Sequence, residues 1–127
     1  LITYKRISAA ASDEELRDLQ VELIDRFGLL PDATKNLVRL ASIRRTATEL
    51  GIEKIDVAES GGYLVFGADS RIDPLELVKL VQNDSRRYRL QGSNRLQLKD
   101  DLHDPDRRFA TIENLLELLA VKEGHDE

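Results

Sequence analysis

Asp18, Glu22 and Asp25 stand at i, i+4 and i+7, so on a helix their three carboxylates form one stripe. Carboxylates placed this way can move protons if burial perturbs a pKa, or can meet a cationic partner if they stay in water. Proton chemistry needs a catalytic companion, and the inventory is thin. The two histidines are His103, in an acidic turn, and His125, in the tail; neither has a second histidine at zinc-ligand spacing. With no cysteine there is no thiolate metal site, no disulfide and no cysteine nucleophile. No glycine-rich loop is followed by Lys-Ser/Thr to cradle a phosphate, and SGG at 60–62 reads as a hairpin turn. The run DSRID at 69–73 lacks the spacing of a calcium loop. The residues argue against an enzyme and against a bound metal or cofactor.

Arg86-Arg87-Tyr88-Arg89 is the second constellation. Arginines reach phosphates and a tyrosine stacks on a base, so this run is where a nucleic-acid-binding accessory module would be sought. The same residues also fit a half-buried strand. Tyr88 and Leu90 then share its inner face, and Arg87 and Arg89 keep the wet face charged against edge-to-edge aggregation. A formal charge of −5 counts against a general nucleic-acid binder.

The elements that must carry these residues can be read from periodicity and punctuation. Residues 2–10 form a short helix with Tyr4 and Ile7. Ser12 and Glu15 make a capping box, which starts a helix over Asp13–Phe27; Gly28 ends it and Pro31 follows. At 100° per residue Leu16, Leu19, Gln20, Leu23, Ile24 and Phe27 form its core face. Glu14, Asp18 and Asp25 lie opposite, with Glu15 and Glu22 at the border. Val21 lies beside Asp18 and Asp25, an apolar side chain among acids. A third helix spans Asp32–Leu50 and stops at Gly51; Leu37, Leu40, Ala41 and Ala47 define its apolar arc, with Arg44 pointing into it. Ile55 and Val57 then alternate with Asp56, Gly61-Gly62 is expected to turn the chain, and YLVF returns. Asp73-Pro74 starts a helix ending near Gln82. YRL and RLQL form a second hairpin with Leu96 and Leu98 on one face, and a last helix from Asp104 or Pro105 buries Ile112, Leu115, Leu116 and Leu119, after which KEGHDE frays.

An α+β fold follows: amino-terminal helices packed with a small, mainly antiparallel sheet of two hairpins, and a carboxy-terminal helix. A chain of 127 residues is of single-domain size. It begins on Leu1 and holds no methionine, so it is expected to be a piece of a longer protein. No apolar run approaches the ~20 residues of a membrane span, and LITYKRISAAA lacks the apolar centre of a signal peptide.

Two readings of the acidic stripe stand side by side. Like charges at i, i+4 cost a few tenths of a kcal/mol, partly relieved here by Arg17 and Arg26, so the stripe does little for the helix. It is either a solvated outer face or a docking surface, in which Val21 supplies a small apolar contact and the acids supply complementarity.

YKRISAA, ELIDRFGLLPD, LGIEKIDVAESGGYLVF and YRLQGSNRLQL, in this order and spacing, resemble the carboxy-terminal domain of the bacterial transcription-repair coupling factor (Mfd) family. The resemblance runs from Tyr4 to the last helix, and the ELIDRFG-LP element is its most specific part. It implies that residues 1–127 are one non-catalytic regulatory domain of a cytoplasmic protein. It also implies a parent that is an ATP-driven DNA translocase, releasing stalled RNA polymerase and recruiting the excision-repair protein UvrA. ATP and DNA would belong to the parent's motor. The domain would pack on the UvrA-binding module of the same chain and mask it. Carried over by position, Glu22 and Asp25 are the acids of that surface, with Asp18 and Val21 beside them and Arg26 holding the side chains in place.

Overall fold

Ser12 is extended (φ −152°, ψ 162°), and its hydroxyl accepts a hydrogen bond from the Glu15 amide at 3.1 Å. The Glu15 carboxylate reaches back to the amide of Ala11, one residue ahead of the cap, at 2.8 Å. This reciprocal satisfaction of orphan amides starts α2 where the sequence places it. The computed structural model describes residues 2–28 and 31–121; the side chains of Tyr4 and Phe27 and the tail with His125 lie outside the described residues. The elements are α1 (Ile2–Ala9), α2 (Asp13–Phe27), α3 (Asp32–Leu50), β1 (Ile52–Ala58), β2 (Gly61–Phe66), α4 (Pro74–Asn83), β3 (Tyr88–Gln91), β4 (Arg95–Lys99) and α5 (Pro105–Leu119). The fold is α+β, as the sequence predicts. The chain falls into two compact units, Leu1–Thr46 and Ala47–Glu127.

In the first unit Ile7 of α1, Leu16, Leu19 and Leu23 of α2 and Val38 of α3 form the core, with Ala10, Leu37 and Ala41 packed around them. Gly28 closes α2 at φ 85°, its amide bonding the Ile24 carbonyl at 2.8 Å. Two expectations need correction. Ile24, placed on the core face, is 45% exposed, because the buried line of α2 runs through Leu16, Leu19 and Leu23 and leaves Ile24 at its outer margin. On α3 the expected arc holds at Leu37 and Ala41, which pack against the core, and at Ala47, which is buried, but not at Leu40. Val38 and Ile43 are buried, Leu40 is exposed, and Arg44 is exposed as well. The arginine that turns inward is Arg45, which pairs with Asp13 in the first turn of α2; Ser42 donates to the same carboxylate at 3.0 Å.

The second unit is built on a four-stranded antiparallel sheet in the order β1-β2-β4-β3. β2 and β3 both pair antiparallel with β4. They therefore run in the same direction, and α4 makes the crossover between them. The expected Gly61-Gly62 turn is instead at Glu59 and Ser60, and the two glycines open β2. Their lack of a side chain serves close approach. A Cβ on Gly61 would lie 2.1 Å from the Leu98 carbonyl oxygen, and one on Gly62 would lie 1.8 Å from that of Asp56. Asp73 and Asp104 cap α4 and α5, each followed by proline at the first helical position. The inner face of the sheet carries Leu64, Phe66, Tyr88, Leu96 and Leu98, all buried. Leu77 of α4, Leu102, and Ile112, Leu115, Leu116 and Leu119 of α5 complete this core. The outer face is polar.

Candidate docking face on the second helix

The capping box and Gly28 set the length of α2, and the leucine line sets its rotation. Together they decide which side chains remain in water. Asp18 and Asp25 are exposed, and Val21 beside them on the wheel is 58% exposed. Glu22 has a different environment. Arg6, projecting from α1, forks onto it, with Nη1 2.6 Å from Oε2 and Nη2 3.1 Å from Oε1. A bidentate guanidinium–carboxylate pair fixes orientation as well as charge. The hydrogen bond from Arg6 is the chief reason the Glu22 carboxyl is held below the usual glutamate range; the charges of Arg6 and Arg26 add to it, and desolvation opposes.

The sequence therefore identifies the stripe but not its internal organisation. Arg6 lies 16 residues from Glu22 and no local pattern links them. Ile24, assigned to the core by periodicity, instead flanks Val21 on the surface, so an apolar strip of Val21 and Ile24 borders the acids. Its only sequence signal is its place at the margin of the apolar arc. A hollow of about 200 Å³ lies alongside, lined by Arg6, Ala10, Glu15, Asp18 and Leu19. The face can offer exposed carboxylates, one carboxylate in a fixed pose, and a modest apolar strip. It has the chemistry of a docking surface for a basic partner.

Because the pair with Arg6 lowers the folded-state pKa of Glu22, its stabilisation is present above the ordinary glutamate value of about 4.3 and is lost as pH falls through the lowered value. A carbon-13 titration of the Glu22 carboxyl should give a midpoint below the ordinary range. In Arg6→Ala it should return towards that range, and a midpoint indifferent to the substitution would mean that the fork does not form in solution.

The run at 86–89 is divided by the fold. Tyr88 is 6% exposed and offers no face to a base. Arg87 is bound to Asp84 at 3.2 Å and to Asp100 at 2.7 Å, with its guanidinium carbon 5.3 Å from the Tyr88 ring centroid. Arg86 and Arg89 remain exposed. His103 lies 3.2 Å from the Glu59 carboxylate. Among the described residues no cluster of His, Asp or Glu suited to a metal ion occurs, and no helix is long and apolar enough to cross a membrane.

A family model described as the TRCF domain matches residues 1–77. The chain is 41% identical over 118 residues to a transcription-repair-coupling factor of Haemophilus influenzae, covering 93% of this chain and 10% of that protein. To the Escherichia coli protein of the same name it is 39% identical over 113 residues, covering 89% and 10%. The chain thus spans about a tenth of the length of these curated relatives. A solved structure described as the C-terminal domain of transcription-repair coupling factor shares the fold, with a TM-score of 0.64 and 21% identity, covering 92% of this chain and 78% of that one.

Proposed function

The chain belongs to the TRCF domain family of the transcription-repair coupling factors, and from that premise we propose that it is an autoinhibitory interaction domain whose α2 face covers the UvrA-binding module of its own parent protein. The observation that carries this reading is the exposed Asp18–Val21–Asp25 stripe, with Glu22 held beside it by Arg6. A patch of like charge that contributes little to its own helix gains a purpose when a basic surface closes on it. Val21 and Ile24 give that contact a desolvated centre, where charge complementarity alone would be screened by salt.

On this reading the domain performs no chemistry and holds no cofactor or metal. ATP turnover, DNA translocation, polymerase release and recruitment of UvrA in the cytoplasm belong to other parts of the parent. A tethered contact can be weak and still keep a surface covered. Flexible linkage gives an effective concentration in the millimolar range, so a contact of about 4–5 kcal/mol, with a Kd of roughly 0.2–1 mM, suffices. Motion of the motor then has little to overcome in separating the two pieces.

The contact can be sought directly. Adding the isolated UvrA-binding module to nitrogen-15-labelled chain should shift amide signals of Asp18, Val21, Glu22 and Asp25, with half of the full shift reached at roughly 0.2–1 mM module. The shifts should disappear in Asp25→Lys. Shifts confined to another surface, or none at millimolar module, would remove the assignment.

A further inference from the structure

The outer face of the sheet gathers positive charge within a unit whose sequence is acidic. Across residues 47–127 acids outnumber bases, yet the rows of outward side chains on the strands set Lys54, Arg89, Arg95 and Lys99 against Asp56 alone. Strand register arranges them in rows. Lys54, Val65, Arg95 and Gln91 form one, and Asp56, Tyr63, Gln97 and Arg89 the next. Lys99 follows on β4, its amide bonded to the Arg87 carbonyl at 2.7 Å. Lys54, Arg89, Arg95 and Lys99 are all exposed. Asp56 is the one acid in the two rows. Tyr63 stands at the centre, with the Arg95 guanidinium carbon 4.3 Å and the Lys54 ammonium 5.5 Å from its ring centroid. At one end of this face a hollow of about 460 Å³ is lined by Arg86, Arg87, Arg89 and Lys99 together with Ser85 and Gln97.

We propose that this outer sheet face binds single-stranded nucleic acid, through Arg89, Arg95 and Lys99 on its phosphates and the Arg95–Tyr63 stack under a base. Alternate residues along a strand are about 6.7 Å apart and neighbouring strands about 4.8 Å, so the cations form a two-dimensional grid rather than a point charge. A grid of that kind suits an extended polyanion. Guanidinium groups and aromatic rings are platforms for unpaired bases, and here the two lie together. An acidic peptide is the competing occupant, and the surface suits it less. Peptides that bind sheets add strand-to-strand at an edge or fill apolar pockets, whereas these cations project from the face of the sheet, and the side chains set among Arg89, Arg95 and Lys99 are the Gln91 and Gln97 amides. Phosphate binding is driven by charge and needs no such anchor. The site is on a different unit from the α2 docking face and does not depend on it.

Fluorescence anisotropy of the full chain with a labelled oligothymidylate of about 20 nucleotides, longer than the ~4–16 that one small binding fold covers, tests the assignment. Binding should be measurable at low salt and weaken steeply as salt rises. Arg89→Glu, Arg95→Glu and Lys99→Glu together should lower affinity by about tenfold or more and make the slope of log affinity against log salt shallower by about 2. The corresponding glutamine variant should show the same direction and guards against misfolding by the reversed charges. Lys79→Glu on α4, away from the face, should leave binding unchanged. Absence of binding at low salt overturns the proposal. So does equal binding by the folded glutamine variant, or tighter binding of duplex DNA of the same length or of a polyglutamate peptide.

Discussion

Leu64→Ala is expected to cost the sheet unit about 2–5 kcal/mol, seen as a fall in the urea midpoint on the order of 1–3 M. Leu64 is fully buried, pairing across the sheet with Ile55 on β1 and Leu96 on β4. The alanine loses transfer free energy and leaves a cavity between strands that the backbone ladder prevents from closing. Its chain neighbour makes the comparison informative. Val65 points to the opposite face and is only half-buried, so Val65→Ala should cost about 1 kcal/mol or less. Equal losses at the two positions would mean that both faces of the sheet are packed, and the outer face could not then serve as an open surface. Circular dichroism melts of the two variants provide the check.

Reversing Asp18 and Asp25 to lysine in the full-length factor should raise its affinity for UvrA by about tenfold. The size follows from the balance proposed above. A contact with a Kd of a few tenths of a millimolar, held at a few millimolar effective concentration, keeps the module covered roughly ten times as often as uncovered. The apparent affinity of a competing partner is reduced by that factor and recovers when the cover opens. Asp18 and Asp25 are preferable to Glu22 as targets because both are exposed, whereas a lysine at 22 would confront Arg6 and disturb the pairing of α1 with α2. Isothermal titration with UvrA is the measurement. An unchanged affinity in a variant with the native circular dichroism spectrum would leave the α2 face without the proposed role.

Much of the local architecture was legible in the residues. Ser12 with Glu15, Asp73 with Pro74 and Asp104 with Pro105 each announce a helix start, because a cap is satisfied by atoms within three residues of itself. The acidic stripe was legible for a similar reason, since helical spacing alone places Asp18, Glu22 and Asp25 in line. A local pattern with two solutions is settled by contacts outside it. Gly61-Gly62 suits a turn, yet its place in β2 is set by the carbonyls of Leu98 and Asp56, which leave no room for a Cβ. Arg44 and Arg45 are adjacent, and it is Arg45 that meets Asp13 on another helix.

What the sequence determined unaided was the family resemblance, the helix limits, the hairpin strands and the acidic line on α2, all of them consequences of near-neighbour chemistry and periodicity. Tertiary structure decided that Arg6 would fork onto Glu22, that Ile24 would join Val21 at the surface, and that cations from β1, β3 and β4 would share one face. The reason is physical. Caps and periods are satisfied within a turn or two of chain, whereas ion pairs and strand neighbours form between residues far apart in sequence, and only the packed core determines which of them meet.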